Sequence, residues 1–230
     1  MRRIVGSAFL SLDGVIQAPG GPTEDWTGGF DLGGWLFGFD DPAIGDVVGG
    51  LFSRPYALLL GRKTYDIFAA YWPYVTGEEA EFAASLNRAD KHVLTHGTAP
   101  LEWENSHRIA DVEAIAALKE TDGPNLLIQG SSTLYPLLLR AGLLDRLTTL
   151  TFPIVLGKGK RLFREGTPSG TFALAEHQVS AMGTVIATYE PAGEVRVGSF
   201  APTVSSAREE ARQERMKHED AALLDAADLD

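Results

Sequence analysis

The sequence predicts an α/β fold with a mostly parallel mixed sheet, helices on both faces and an antiparallel C-terminal edge. Up to residue 141, short apolar runs typical of buried strands alternate with segments of helical periodicity. This alternation is typical of parallel strands joined by crossover helices. Two strand-like runs, 172–181 and 183–190, then follow each other directly and predict a closing hairpin.

The first elements are a strand, a loop and a helix. Residues 3–12 predict the first strand, and 17–34, rich in Gly, Pro, Asp and Trp, predict a long loop. Loops of this length often act as lids or binding loops. Residues 41–53 predict a short helix because Pro42 suits a first turn, although three glycines in the segment oppose it.

The middle of the chain repeats a strand followed by a helix. Asp111 can cap one of these helices, and Gly142 is a stop signal for another. Residues 145–156 predict a long strand that Pro153 interrupts. The other predicted strands are 56–60, 91–95 and 125–129, and the predicted helices are 62–70, 78–88, 112–120 and 131–141.

Composition limits the possible partners. The net charge of −11 argues against binding to nucleic acid. No apolar stretch approaches a membrane span and no signal peptide is visible, so we expect a cytoplasmic protein without a membrane partner. The absence of cysteine excludes disulfides and thiolate chemistry, and the five histidines lack ligand spacing, so we expect no metal site.

Two glycine corners carry the functional prediction. Gly61-Arg62-Lys63-Thr64 and Gly130-Ser131-Ser132-Thr133 each follow a predicted strand and open a predicted helix. Free N–H groups at a helix N-terminus bind phosphate. Two such corners suit a ligand with several phosphates, and NADPH is the natural candidate. The alternatives are ordinary surface charges in the first corner and a helix cap in the second.

Four segments resemble the dihydrofolate reductase-like superfamily, in the branch of the riboflavin-biosynthesis reductase domain. They are 11–16, 61–65 with 71–73, 129–134 and 153–159. The resemblance implies an NADPH-dependent reductase with a three-layer α/β/α dihydrofolate reductase-like fold over residues 1–203. Residues 204–230, without Gly or Pro, predict an acidic helical or flexible tail.

The resemblance also implies which residues bind the cofactor. The first corner contacts the pyrophosphate and the adenosine 2′-phosphate region, and the second corner holds the pyrophosphate. The chain lacks the Asp-Asn-Pro segment usual after Thr64 in the riboflavin enzymes, so the substrate stays open. The implied cofactor-binding residues are Ala8, Ile16, Gly61, Arg62, Lys63, Thr64, Leu94, Thr95, Gly130, Ser131, Ser132 and Thr133.

Hydride transfer also requires a proton donor, from a carboxylic acid or water. Asp13, Asp41 and Asp46 are the predicted catalytic acids, and Asp40 is a further candidate. Each has a structural alternative. Asp13 suits a turn, Asp40 or Asp41 suits a helix cap, and Asp46 suits a solvent-facing helix position.

Aromatic residues predict a flat substrate pocket. The predicted substrate residues are Trp35, Phe68, Tyr71 and Trp72, with core packing as the alternative for Phe68. The leading hypothesis is a reductase acting on a planar nitrogen heterocycle, pterin-like or pyrimidinone-like. The alternatives are a non-catalytic nucleotide-binding or dimerisation module on the same fold and, third, a flavin-binding protein. We expect a homodimer formed through the 145–156 strand and the hairpin.

Overall fold

In the computed structural model, which describes residues 1–39, 41–199 and 206–227, an eight-stranded mixed sheet organises the first 194 residues. Its spatial order is β4-β3-β2-β5-β1-β6-β8-β7. The first six strands in this order are parallel, and β8 and β7 form an antiparallel edge, so the predicted fold class is confirmed. The strands are β1 (Ile4–Ser11), β2 (Tyr56–Gly61), β3 (Lys91–Leu94), β4 (Ser106–Ile109), β5 (Asn125–Gln129), β6 (Arg146–Phe152), β7 (Thr171–Val179) and β8 (Val185–Gly193).

Helices cover both faces of the sheet. Successive strand residues belong to different apolar clusters, since side chains alternate between the faces. One face carries α4 and α5, and the other carries α1, α2 and α3. The helices are α1 (Pro42–Phe52), α2 (Arg62–Ala69), α3 (Ala80–Arg88), α4 (Val112–Glu120), α5 (Leu134–Arg140) and α6 (Ala207–Ala227).

Three elements differ from the sequence prediction. Strand β4 was not predicted, because only Ile109 of its four residues is buried. Helix α5 begins at Leu134 rather than at residue 131, because Gly130 and Ser131 both have positive φ angles, 79° and 59°. Strand β6 ends before Pro153 and lies inside the sheet, so β7 rather than the 145–156 segment forms the free edge on that side.

Helix α5 packs directly against β1. Tyr135 is fully buried, and its hydroxyl donates to the Ser7 carbonyl oxygen at 3.1 Å. The ring lies over Gly6, where a Cβ atom would be 2.6 Å from Tyr135 Cε1. Glycine is therefore required at residue 6 by this close approach.

Residues 195–230 form a separate unit. Helix α6 lies within it, and its side chains described up to Glu219 are exposed or half-buried. Arg212 pairs with Glu209 at 2.6 Å within the helix. The predicted domain boundary at 203/204 stays a prediction. No helix among the described residues is long and apolar enough to cross a membrane.

His92 on β3 makes the stability of the sheet sensitive to acid. Burial, then the nearby His107 and Arg2, lower the pKa of His92 from 6.5 to about 4. Between pH 4 and 6.5 the unfolded chain binds a proton at residue 92 that the folded chain does not. The contribution of His92 to the free energy of unfolding is therefore complete above pH 6.5 and falls as pH drops towards 4. Urea denaturation at pH 7 and pH 4.5 measures the loss in free energy of unfolding between these two conditions. We expect this loss to be about 1–2 kcal/mol smaller in His92→Phe than in wild type.

The matched control is His177→Gln, since His177 is exposed on β7. It should leave the acid sensitivity of the free energy of unfolding unchanged. An equal acid loss in wild type and His92→Phe would contradict the assignment.

Candidate functional site

The two glycine corners meet at the carboxyl ends of β2 and β5, which are neighbouring parallel strands. The Gly61 backbone N–H donates to Ser131 Oγ at 2.8 Å. Thr64 Cγ2 lies 3.4 Å from where a Cβ atom would stand on Gly130. One bound molecule can therefore touch both corners, and ligands of open parallel sheets lie at this edge.

The second corner has an unusual backbone. Gly130 and Ser131 are successive residues with positive φ, and a side chain at such a position is strained. This geometry places Ser131 Oγ on Gly61, and Thr133 Oγ1 lies 3.4 Å from the Cβ position of Gly61. The strained residue of the second corner, Ser131, is therefore the one that contacts the first corner.

The N-terminus of α2 has no side-chain cap. Gly61 occupies the cap position with no side-chain hydrogen bond to the first turn, so its N–H groups suit an anion. The two cations are already paired. Arg62 Nε donates to Asp66 at 2.8 Å, and Lys63 Nζ donates to Asp25 at 3.1 Å.

Asp25 joins the long loop to two other segments, and sequence reasoning missed it. Its carboxylate accepts from Lys63, from Lys160 at 2.6 Å and from Thr27 Oγ1 at 2.6 Å. Burial opposes ionisation of Asp25, but hydrogen bonds from Lys160, Thr27 and Lys63 outweigh it and hold the pKa of that carboxyl well below its usual range. Two ammonium groups share one carboxylate, so the cluster carries net positive charge.

A cavity of about 510 Å³ lies between this loop and α2. Trp26, 64% exposed, stands in it beside Lys63 and Ile67. The lining carries two cations, Arg62 and Lys63, and three acidic residues, Glu24, Asp25 and Asp66. An exposed indole among polar groups of both signs suits a planar polar ligand. A larger cavity of about 590 Å³ lies at the amino ends of the strands, and no predicted site residue lines it.

The remaining predicted cofactor residues lie along the same edge. Leu94 pairs in register with Gly61, and Thr95 follows it as a buried residue. Ala8 and Ile16 share one apolar cluster, and the Ile16 N–H donates to the Lys160 carbonyl at 2.8 Å. Their role in binding a cofactor stays a prediction.

Asp13 braces the turn after β1. Its carboxylate accepts from Ser11 Oγ at 2.7 Å and from the backbone N–H groups of Leu156 and Gly157, each at 3.0 Å. The Ser11 and Leu156 hydrogen bonds lower the pKa of Asp13. An acid with a lowered pKa is a poor proton donor at neutral pH. The catalytic role of Asp13 stays a prediction.

We expect Asp13→Ala to lower the free energy of unfolding by about 1–2 kcal/mol, because two backbone N–H groups lose their acceptor. Asp13→Asn, which keeps one carbonyl oxygen, should lose less. Thermal melts and turnover measurements on both variants separate the roles. Lost turnover at unchanged stability would identify a proton donor instead of a brace.

The other predicted acids do not converge on the corners. Asp41 is the N-cap of α1, since it accepts from the Ala43 N–H at 3.0 Å, and it also accepts from Met182 N at 3.0 Å. Asp46 is exposed on α1. Asp40 lies outside the described residues. The N-cap alternative for Asp41 therefore matches its contacts, and its catalytic role stays a prediction.

The predicted aromatic pocket divides into two clusters. Trp35 is buried, donates from Nε1 to the Gln17 carbonyl at 2.9 Å and packs edge-on against Phe152. Phe68 and Trp72 pack in a different apolar cluster over β2 and β3. Tyr71 is 54% exposed beside Trp72. The structure does not bring Trp35 together with the other three.

Comparison with known proteins gives a family match over most of the chain. A family model described as the RibD C-terminal domain matches residues 2–187. Uncharacterized protein YyaP of Bacillus subtilis is 26% identical over 166 residues, which cover 70% of this chain and 80% of YyaP.

Solved structures show the same fold. A Shewanella sp. PV-4 protein described as a riboflavin biosynthesis protein has a TM-score of 0.60 at 25% identity, covering 84% of this chain and 99% of its own. Dihydrofolate reductase from Enterococcus faecalis, complexed with NADP(H), has a TM-score of 0.52 at 16% identity, covering 82% and 96%. The second likeness is one of fold.

Proposed function

The chain belongs to the RibD C-terminal domain family, and on that basis we propose that it is an NADPH-dependent reductase. The proposed reaction transfers a hydride to a planar nitrogen heterocycle, pterin-like or pyrimidinone-like. The observation that carries the proposal is the contact between the two glycine corners, Gly61 to Ser131 Oγ at 2.8 Å. A solved neighbour of the same fold binds NADP(H), which supports this cofactor.

The residues present fit a dinucleotide. Gly61 leaves a space that a Cβ would fill between Thr133 and Ser131, and the uncapped first turn of α2 offers N–H groups to a diphosphate. When bound, NADPH supplies the hydride. Ala8 and Ile16 orient the nicotinamide, and the loop held by Asp25 excludes water from the edge.

Substrate binding is proposed for the cavity beside α2. Trp26 provides an aromatic surface in this cavity. Arg62 and Lys63 provide hydrogen-bond donors, and the lining also offers the acceptors Glu24, Asp25 and Asp66. The proton reaches the substrate from water or from a carboxylic acid. This arrangement suits a planar, polar ring better than an extended apolar ligand.

The experiment is a titration of the pure protein with NADPH, followed by tryptophan fluorescence. We expect quenching, and Trp26→Phe should remove most of it. Trp26 is 64% exposed, whereas Trp35 and Trp103 are buried and Trp72 is half-buried. Oxidation of NADPH is then measured with pterins and aminopyrimidinones. No binding at millimolar NADPH would overturn the proposal.

A non-catalytic nucleotide-binding or dimerisation module is the second candidate. The observation that favours it is that Asp13 and Asp41 are occupied by backbone N–H groups and Asp46 is exposed. Tight NADPH binding without oxidation by any heterocycle in the panel would support this candidate over the reductase.

We also propose a homodimer through β7. This edge strand has exposed residues from 173 to 179, including Leu174 and Val179 at 53% and 65%. An apolar edge strand favours pairing with another chain. Light scattering should report a dimer for wild type and a shift towards monomer for Leu174→Lys. A wild-type monomer would refute this proposal.

A further inference from the structure

Glu24 is a half-buried carboxyl group in the cavity beside α2, and sequence reasoning missed it. It lines this cavity together with Trp26 and Ile67. Its Oε2 accepts from the Gly20 backbone N–H at 2.6 Å. Among the described residues, no Lys, Arg or His forms an ion pair with Glu24. Because its partners in the loop are N–H donors, the O–H group of the protonated acid is available to a ligand.

The other two carboxyl groups of the described cavity lining each have a cation as partner. Asp66 accepts from Arg62 Nε at 2.8 Å, and Asp25 accepts from Lys63 Nζ at 3.1 Å. These four residues are the charged groups that share the cavity with Glu24. Their charges are therefore paired with each other, and Glu24 is left without a counter-charge.

The environments of Glu24 and Asp25 shift their acidities in opposite directions. Burial raises the pKa of Glu24, and the negative charge of Asp25 adds to this shift against the hydrogen bonds from Gly20 and Gly21. The pKa of Asp25 is held well below its usual range, as described above. Neighbouring carboxyl groups that differ in this way are typical of a site that transfers a proton.

One side chain ties this part of the loop to the predicted nicotinamide position. Gln17 directly follows Ile16, which is a predicted contact of the nicotinamide. Its Nε2 donates to the Asp25 carbonyl oxygen at 3.0 Å and to the Thr27 carbonyl oxygen at 2.9 Å. Residues 24–27 are thereby fixed next to the segment that is expected to hold the reacting end of the cofactor.

We infer that Glu24 is a catalytic residue and donates the proton that accompanies hydride transfer to the heterocycle. The inference rests on the proposed function and adds to it a residue that touches the substrate. In the balanced step, a ring C=N bond gains the hydride from NADPH at carbon and the proton from Glu24 at nitrogen. NADP⁺ is the other product, and the Glu24 carboxylate regains a proton from water.

The competing explanation is that Glu24 only fixes the turn at residues 20–24. Glu24→Gln distinguishes the two roles, because its carbonyl oxygen can still accept from the Gly20 N–H whereas its amide cannot protonate a substrate. Glu24→Ala removes both properties. A structural role predicts full turnover in Glu24→Gln and reduced turnover in Glu24→Ala, whereas a proton donor predicts reduced turnover in both.

The kinetic test measures kcat/KM for the most active pterin or aminopyrimidinone as a function of pH, with the full chain. In wild type we expect kcat/KM to fall as pH rises through the pKa of Glu24, because only the protonated acid donates. Glu24→Gln should lower kcat/KM by roughly 100-fold at acidic pH and remove this dependence. Its dissociation constant for NADPH should stay within about twofold of wild type. Glu120→Gln, which removes an exposed carboxylate at the end of α4, should change neither quantity.

A second measurement does not depend on turnover. An NMR titration of isotope-labelled glutamate side chains, without cofactor, follows each carboxyl group directly. We expect one glutamate to titrate at higher pH than the others and its signal to be missing in Glu24→Gln. If Glu24 titrates together with the other glutamates, the assignment is overturned.

The outcomes distinguish this inference from the proposed function. If wild type binds no NADPH or reduces no heterocycle of the panel, the proposed function fails and the role of Glu24 fails with it. If wild type is active and Glu24→Gln keeps its turnover and pH dependence, only the role of Glu24 is overturned. Thermal melts show whether the variants keep the wild-type fold, and the NMR titration of wild type decides the assignment where a variant does not.

Discussion

Gly61→Ala should raise the dissociation constant for NADPH by roughly 10–100-fold while the melting temperature stays near that of wild type. Alanine adopts the Gly61 backbone without strain, since φ is −78° and ψ is 158°. Its methyl would lie 3.4 Å from Thr133 Oγ1 and 3.5 Å from Ser131 Oγ, which is ordinary contact. It would fill the space through which a diphosphate reaches the backbone N–H groups, and each lost charge-assisted hydrogen bond costs about 1.5–3 kcal/mol.

The matched control for Gly61→Ala is Gly49→Ala on α1, where no heavy atom lies within 4 Å of the added Cβ. This change should leave NADPH binding unaltered and stabilise the helix slightly. Fluorescence titration and thermal melts measure both effects. Unchanged NADPH affinity in Gly61→Ala would show that the corner does not receive the diphosphate.

Gly6→Ala should lower the free energy of unfolding by about 2–4 kcal/mol. The new methyl would lie 2.6 Å from Tyr135 Cε1 and 2.9 Å from its hydroxyl oxygen. The ring is fully buried and cannot move into solvent, so overpacking and loss of its hydrogen bond to Ser7 act together. Urea denaturation of both proteins gives the difference.

A second variant tests whether the Tyr135 ring is the cause. In Tyr135→Leu the ring is gone, so adding Gly6→Ala should cost much less than it does in wild type. If the losses in free energy of unfolding from the two changes add up in the double variant, the Tyr135 ring is not the cause of the Gly6→Ala effect. Because α5 follows the second corner, we also expect Gly6→Ala to weaken NADPH binding more than its stability loss alone explains.

The sheet and its two corners were predictable because their signals are local. Strand β5 and helix α4 match the predicted 125–129 and 112–120, and Asp111 caps α4 through a hydrogen bond to Ala114. In an α/β sheet the carboxyl ends of parallel strands share one edge, so Gly61 and Gly130 were expected at the same edge.

The Asp25 cluster was not predictable in the same way. Lys63 and Lys160 lie 38 and 135 residues from Asp25 in sequence, and no periodicity relates residues that far apart. The only local signal was the lysine-rich turn at 157–160. The packing of Trp35 was unpredictable for a related reason, because its contacts with the Gln17 carbonyl and Phe152 join residues far apart in the sequence. Its role in binding substrate stays a prediction.

The pairing of β1 has a consequence for synthesis on the ribosome. Ile4 pairs with Leu126, and Val5 pairs with Arg146, so both neighbours of the first strand come from much later in the chain. The apolar residues of β1 therefore stay unpaired during synthesis until residues 126 and 146 have emerged. Such long-range closure slows folding and exposes an aggregation-prone segment, so slower translation upstream of residue 146 should increase the demand for chaperones.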